Sequence, residues 1–259
     1  MKSIRFLLTC LALNLLCLGS MASAEDVSAT FEAVKPALAL FSYSEQRGIH
    51  FGTAFCIQST TTESYFLTNK HVVGSHGIVD VDLLGIPGRT FAGAVVARSN
   101  DVDAAIVRVD IGNIRALRLA SQPPRVGQPV SIVGFPLFQM RYSLSSHDLV
   151  ASLHTGMVNA LLFDGGYIEY DAQTDKGNSG GPIVDSSSGL VYGLVTYIFP
   201  GSSRVIQNNV GVSVSDFSEM LAQAKTPSST SSSPSAQALR SAQAFFLSAA
   251  TSTGDASWR

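Results

Sequence analysis

The stretch HFGTAFCIQSTTTESYFLTN, residues 50–69, contains two short β-prone runs, HFGTAFCI and SYFLTN, joined by a polar segment rich in threonine and serine. Aromatic and β-branched residues favour strands, whereas clusters of small polar residues mark turns. Similar short β-prone runs recur along the chain as TFAGAVVAR, AAIVRVD, PVSIVGF and LVYGLVTYIF. No long helical pattern separates these runs, so βαβ units are not expected. The sequence therefore predicts an all-β fold built from sandwiches or barrels.

The β-prone runs fall into two comparable series on either side of Pro123 and Pro124. We place the main folded unit at residues 25–225. Its first half is expected at about residues 45–118 and its second half at about residues 126–217. A chain with this many short strands has enough apolar residues for one large core or for two small cores that share an interface.

Three segments flank the predicted β-structure. Residues 25–44 are amphipathic and favour a short helix. Residues 226–235 contain only Thr, Ser and Pro, a composition that predicts a disordered linker. Residues 236–259 form a short tail that contains one helical pattern.

The first 24 residues have the pattern of a secretory signal peptide. Lys2 and Arg5 precede an apolar run, and the small residues Ala22-Ser23-Ala24 follow it. This order predicts export and cleavage after Ala24. A retained membrane anchor is the alternative, but the apolar run is shorter than the roughly 20 residues that a spanning helix needs. The mature protein is expected to be periplasmic or secreted, without a membrane anchor.

Cleavage of the predicted signal peptide would remove two of the three cysteines, Cys10 and Cys17, and leave Cys56 as the remaining one. The mature chain can therefore form no intramolecular disulfide. Cys56 lies in the apolar run GTAFCI and is expected to be a buried hydrophobic residue. No cluster of His, Cys, Asp and Glu has metal-ligand spacing, so neither a metal nor another cofactor is expected.

The composition excludes one broad class of partner. Hydrophobic residues make up 46% of the 259 residues, charged residues 14%, and the net charge is −2. A nucleic-acid-binding protein usually carries a basic patch or a basic overall charge. Nucleic acid is therefore not expected as the main partner.

Three separate segments carry residues that could act together in catalysis. Ser179 lies in DKGNSGGPIVD, which by itself could be a turn without chemistry. His71 follows the strand-like run SYFLTN, and alone it could be an ordinary loop histidine. Asp103 precedes the apolar run AAIV, where burial of its carboxylate would require a partner such as His71. A serine nucleophile needs such a base and such an orienting acid.

The motifs FLTNKHVV, DVDAAIVRV and GNSGGPIV occur in the order His, Asp, Ser. In this order they resemble trypsin-like serine proteases, and within these the HtrA/Deg-type bacterial group. The similarity covers roughly residues 48–217. It implies two six-stranded antiparallel β-barrels with an active site between them.

The resemblance also implies roles for individual residues. Ser179 corresponds to the nucleophile, His71 to the general base and Asp103 to the orienting acid. The backbone N–H groups of Gly177 and Ser179 would form the oxyanion hole. Trypsin has an aspartate six residues before the nucleophile, where this chain has Gln173, so cleavage after Arg or Lys is not expected.

The specificity pocket in HtrA-type enzymes is lined by the residue five positions before the nucleophile and by the later strands. The matching residues here are Thr174, Leu194 and Val212. They predict a preference for small or medium aliphatic side chains.

The function implied by the resemblance is an exported serine endopeptidase that acts on unfolded or exposed polypeptide segments. The alternative is a catalytically silent peptide-binding protein on a protease scaffold. HtrA proteins usually carry PDZ domains after the protease, and this sequence contains no segment that matches one. A homo-oligomer, such as a trimer, is compatible with the resemblance. Phe31 and Phe41 are candidates for that contact, with core packing as the alternative.

Overall fold

Twelve strands in the described part of the chain form two closed antiparallel β-barrels. The structure is a computed structural model that describes residues 27–45, 48–137, 148–200, 207–214 and 217–225. The predicted signal peptide, linker and tail lie outside these residues. The double barrel confirms the fold predicted from the sequence.

Barrel one contains the first six strands, in the spatial order β1-β2-β3-β6-β5-β4. Its strands are β1 Leu38–Glu45, β2 Gly48–Ser59, β3 Ser64–Thr68, β4 Ile78–Leu83, β5 Thr90–Arg98 and β6 Ala105–Val109. Barrel two has the order β10-β11-β12-β9-β8-β7. Its strands are β7 Pro129–Gly134, β8 Ser152–Leu162, β9 Tyr167–Tyr170, β10 Pro182–Asp185, β11 Val191–Pro200 and β12 Gln207–Ser213.

Helical structure in the described residues is limited to short segments between and around the barrels. They include α1 Val27–Val34, a 3₁₀ turn Lys35–Ala37, α2 Lys70–Val73 and α3 Phe217–Lys225. The helix expected within residues 25–44 is therefore present, but it ends at Val34.

Barrel one begins earlier than its predicted start near residue 45, because β1 begins at Leu38. The first four residues of β1 are all buried. A strand that is buried on both faces lacks the alternation of apolar and polar residues that distinguishes a strand from a helix. Phe41 in this strand is fully buried, and its ring centroid lies 6.0 Å from that of Phe66. The core alternative is therefore correct for Phe41.

The hydrophobic core is continuous between the barrels. One cluster joins the interior of barrel one to residues of barrel two that include Phe135, Tyr167 and Leu194. A smaller cluster, which includes Ile132, Ile168 and Ile183, fills the interior of barrel two. Burial of apolar surface at this junction stabilises the contact between the barrels.

The segments at both ends of the described chain also link the barrels. Helix α1 precedes barrel one but contacts barrel two, where the Thr30 hydroxyl donates to the Ser186 carbonyl at 2.7 Å. Helix α3 follows barrel two but contacts β5 and β6 of barrel one. The Lys225 ammonium of α3 lies 5.4 Å from the ring centroid of Tyr65.

The helices in the described residues are all too short or too polar to cross a lipid bilayer.

Candidate active site

His71 lies on α2, immediately after β3 leads the chain out of barrel one. The preceding strand is fully buried along its length, so its end is held firmly in the barrel. Asn69 has an extended backbone at the start of the helix. This change from strand to helix brings the His71 side chain to the barrel surface, where it is 49% exposed.

Asp103 holds the imidazole of His71 at two points. Nδ1 of His71 lies 2.6 Å from Oδ2 of Asp103. The backbone N–H of His71 donates to Oδ1 of Asp103 at 3.0 Å. An ionised carboxylate can only accept hydrogen bonds, so Nδ1 carries the proton. The other ring nitrogen, Nε2, is then free to accept a proton.

The carboxyl group of Asp103 remains ionised despite its burial. Its side chain is only 6% exposed. Burial by itself would raise the pKa of Asp103, but the charge and the hydrogen bonds of His71, helped by the charge of Lys70, hold this pKa below its usual value. A buried carboxylate that is paired in this way can orient the base and stabilise its charged form.

Asn69 ties this pair to the second barrel. Its Nδ2 group donates to the backbone carbonyl of Asp103 at 2.7 Å and to the Thr196 hydroxyl at 3.1 Å. Thr196 lies in β11, and its hydroxyl donates to the Leu194 carbonyl at 3.0 Å. The position of Asp103 therefore depends on β11 as well as on its own barrel.

Ser179 lies in the loop before β10, which barrel two holds by backbone hydrogen bonds. The Gly180 N–H donates to the Val195 carbonyl at 2.9 Å, and the Val195 N–H donates to the Gly181 carbonyl at 2.8 Å. The Asn178 N–H donates to the Asp175 carbonyl at 3.1 Å, which closes a tight turn just before Ser179. Ser179 itself is half-buried.

Gly177 has a backbone conformation that the loop requires, with a φ of +94°. L-residues with a side chain rarely adopt this region. A Cβ atom at this position would also lie 2.3 Å from the Phe135 carbonyl oxygen. Glycine is therefore needed at 177 both for the backbone turn and for the close approach of Phe135.

Gly52 is the point where the His71 helix and the Ser179 loop meet. A Cβ atom added to Gly52 would lie 2.6 Å from a methyl group of Val72 and 3.1 Å from the Ser179 carbonyl oxygen. The segments of His71 and Ser179 thus both pack against one residue in β2. Within the described residues, however, no hydrogen bond joins the His71 imidazole to the Ser179 hydroxyl.

The residues predicted to line a specificity pocket lie in two places. Leu194 and Val212 are paired across β11 and β12, and both are buried in the shared core. Thr174 is buried beside β9, where its hydroxyl lies 3.3 Å from the Tyr170 hydroxyl and 3.2 Å from the Ala172 carbonyl.

Asn209 is a buried polar residue near Thr174 that the sequence motifs did not predict. The Nδ2 group of Asn209 donates to the same Ala172 carbonyl at 2.8 Å, while its Oδ1 atom is buried without a partner. Asn69 and Thr196 were missed in the same way. Each is a polar residue at the end of or within an apolar run, and this is the only local signal that could have identified them.

Cys56 has the environment expected from its sequence context. It is fully buried in β2, and burial raises the pKa of its thiol to about 12. A thiol with so high a pKa is a poor nucleophile near neutral pH. The described residues contain no group of three or more His, Cys, Asp and Glu side chains that could hold a metal ion.

The sequence matches a family model described as a trypsin-like peptidase domain over residues 52–194. This range contains His71, Asp103 and Ser179.

Two curated proteins illustrate the similarity. A DegP-like periplasmic serine endoprotease from Halomonas elongata is 29% identical over 181 residues, which cover 67% of this chain and 36% of that protein. The periplasmic serine endoprotease DegP from Salmonella typhimurium is 29% identical over 149 residues, which cover 57% of this chain and 30% of that protein. The chain thus spans about a third of the length of these relatives.

Solved structures have the same fold. A serine endoprotease from Yersinia pestis matches with a TM-score of 0.62 and 20% identity, covering 77% of this chain and 66% of that one. An HtrA-type protease with a tripeptide also matches with a TM-score of 0.62, at 22% identity, covering 76% of this chain and 62% of that one. Since the family model covers more than half of the sequence and the two barrels have the corresponding fold, the chain belongs to the trypsin-like peptidase family.

Proposed function

We propose that this protein is a serine endopeptidase in which Ser179 is the nucleophile, His71 the general base and Asp103 the orienting acid. The observation that carries this proposal is the 2.6 Å contact between His71 Nδ1 and the buried Asp103 carboxylate. The contact supports a proton on Nδ1, which would leave Nε2 as the base. The curated relatives are named as serine endoproteases, and these names support the same reaction.

The reaction would proceed through an acyl-enzyme. Oγ of Ser179 attacks the scissile carbonyl carbon while its proton passes to Nε2 of His71. The electron pair of the carbonyl moves to its oxygen, where the N–H groups of Gly177 and Ser179 stabilise the negative charge. When the tetrahedral intermediate collapses, the C–N bond breaks and the leaving amine takes the proton from His71. Water then releases the acyl group by the same steps, again with His71 as base.

Unfolded or exposed polypeptide segments are the proposed substrates, and the periplasm or the exterior of the cell is the proposed location. The N-terminal signal pattern and the periplasmic relatives support this location. A protease of this class needs an extended substrate backbone in its cleft, and unfolded chains can provide one.

For the specificity pocket we propose Thr174, Leu194 and Val212, with a preference for small or medium aliphatic side chains. A homo-oligomer such as a trimer is part of the same proposal.

Labelling with a fluorophosphonate tests the nucleophile directly. We expect the mature wild-type protein to form a covalent adduct on the peptide that contains Ser179 and to cleave unfolded casein. The Ser179→Ala variant should do neither. Ser131→Ala is a matched control, because it removes a buried hydroxyl in β7 that contacts the Ser186 hydroxyl at 2.9 Å. This control should label at the wild-type rate.

The assay should be run on each oligomeric fraction from gel filtration, so that an assembly-dependent enzyme is also detected. Labelling that is unchanged in Ser179→Ala would contradict the assignment of the nucleophile. A wild-type protein that binds unfolded casein, but neither labels nor cleaves it in any fraction, would instead support the silent peptide-binding alternative.

A further inference from the structure

Thr53 in β2 lies between the two barrels and contacts the loop that carries Ser179. Its side chain is fully buried. Its backbone N–H donates to the Ser179 carbonyl at 2.8 Å, and its carbonyl accepts from the Thr68 hydroxyl at 2.7 Å. Thr53 is therefore held by barrel one while it binds a loop of barrel two.

The hydroxyl of Thr53 makes two further hydrogen bonds within this loop region. It donates to the Gly177 carbonyl at 2.7 Å and accepts from the Phe135 N–H at 3.0 Å. The absence of a side chain at Gly134 makes room for this arrangement, because a Cβ atom there would lie 2.8 Å from the Thr53 hydroxyl. The hydroxyl of Thr53 thus both donates and accepts a hydrogen bond, and its donor capacity is fully used.

These contacts restrain successive peptide groups around Ser179. A peptide group is planar, so fixing its carbonyl also fixes the direction of its N–H. Thr53 holds the carbonyls of Gly177 and Ser179, on either side of the peptide group that carries the Ser179 N–H. The Leu137 N–H donates to the Lys176 carbonyl at 2.8 Å, which restrains the peptide group that carries the Gly177 N–H.

We propose that Thr53 is a positioning residue for the oxyanion hole. Its hydroxyl holds the Gly177 carbonyl so that the N–H groups of Gly177 and Ser179 point toward one substrate oxygen. This inference rests on the proposed function, since it concerns the same reaction. Oxyanion stabilisation depends on donors that are already oriented before the reaction. Loss of the hydroxyl should therefore weaken the transition state more than substrate binding.

The test compares Thr53→Ser, which keeps a hydroxyl, with Thr53→Ala, which differs from it only by that hydroxyl. Thr30 provides the matched control, because its buried hydroxyl also donates to a backbone carbonyl at 2.7 Å, that of Ser186 after β10. The full mature chain is used, and peptide cleavage gives kcat and KM. Circular dichroism and thermal melting monitor the fold of every variant.

We expect Thr53→Ala to lose roughly 10- to 100-fold in kcat, while KM changes less than threefold. Thr53→Ser should retain kcat within about threefold of wild type. A peptide aldehyde, which mimics the tetrahedral oxyanion, should bind Thr53→Ala at least tenfold more weakly than wild type. Thr30→Ala and Thr30→Ser should melt earlier than wild type but keep its kcat.

If the wild type is active and the kcat of Thr53→Ala stays within threefold of the kcat of Thr30→Ala, the role of Thr53 is overturned. The proposed function would not be affected by that result. Equal losses of kcat in Thr53→Ser and Thr53→Ala would also overturn the role of Thr53. If Thr53→Ala does not fold, Thr53→Val replaces it, since valine fills the volume without the hydroxyl. An inert wild-type protein in all fractions would overturn both this role and the proposed function.

Discussion

At the scale of single residues, the most specific feature is the pairing of one exposed imidazole with one buried carboxylate. Asp103 contacts both the ring and the backbone of His71, so it controls the direction of the ring as well as its tautomer. The backbone contact alone would not determine which ring nitrogen is protonated. The charge of the carboxylate, which sets the tautomer of His71, therefore has an effect separate from the position of its two oxygen atoms.

Replacing Asp103 by asparagine tests this separation. We expect kcat for peptide cleavage to fall by roughly 1,000- to 10,000-fold, because an amide can donate to Nδ1 and favour the wrong tautomer. Asp101→Asn is the matched control, with the same chemical change two residues away in a half-buried turn. Steady-state kinetics and thermal melting should show a folded, nearly inactive Asp103→Asn and an active Asp101→Asn. A loss below tenfold in Asp103→Asn would contradict the role of Asp103.

At the scale of elements, the hairpin between β10 and β11 is organised by the carboxylate of Asp185. Oδ1 accepts from the backbone N–H and the hydroxyl of both Ser187 and Ser188, at distances between 2.6 and 3.1 Å. Oδ2 accepts from Gln128 at 2.6 Å. Burial would raise the pKa of Asp185, but these hydrogen bonds lower it to about 2.

The depressed pKa predicts a dependence of stability on pH. A carboxyl group with a lower pKa in the folded state stabilises the protein above its unfolded pKa, near 4, and loses this contribution as the pH falls through about 2. Because solvent screens part of this effect, the pH-dependent part should be on the order of 1 kcal/mol. Urea unfolding between pH 2 and 6 should therefore show a smaller decrease in stability at low pH for Asp185→Asn than for wild type.

Asp80→Asn, at an exposed position in β4, is the control for this measurement. Its unfolding free energy should follow the wild-type pH profile. Parallel profiles for wild type and Asp185→Asn would mean that the hairpin does not depend on the charge of Asp185.

At the scale of the whole molecule, the barrels are coupled by a shared core and by the segments that connect them. After β6, the Leu117 N–H donates to the Cys56 carbonyl of barrel one at 2.8 Å. The Ala120 N–H then donates to the Val191 carbonyl of barrel two at 2.7 Å. The connecting segment is thus hydrogen-bonded to both barrels, and neither barrel contains His71, Asp103 and Ser179 together.

This coupling predicts that the two barrels unfold together. Hydrogen exchange measured across a urea series should show β3 and β10 losing protection at the same midpoint. Val34→Ala, at a buried position in α1 beside the β10–β11 hairpin, should destabilise both barrels by roughly 1–3 kcal/mol. Separate midpoints, or a shift confined to one barrel, would show that the barrels are energetically independent.

Much of the fold was predictable because it depends on local patterns. Short β-prone runs and the turn residues between them predicted a β-structure in two halves, and the family resemblance supplied the two six-stranded barrels. Strand β1 was the exception, because its first four residues are buried on both faces and therefore show no alternation. The family resemblance likewise predicted His71, Asp103 and Ser179, since each lies in a short motif with characteristic neighbours.

From the sequence alone, the class of fold and the order of the three motifs could be predicted. The contacts by which Thr53, Asn69 and Thr196 hold these motifs in place are visible only in the folded structure. Their hydrogen bonds connect residues far apart in the chain, such as Thr53 and Gly177 or Asn69 and Thr196. A local pattern reports whether a residue is buried or exposed. It does not predict which distant polar group is the hydrogen-bond partner of a buried residue. That partner is brought close only when one barrel packs against the other.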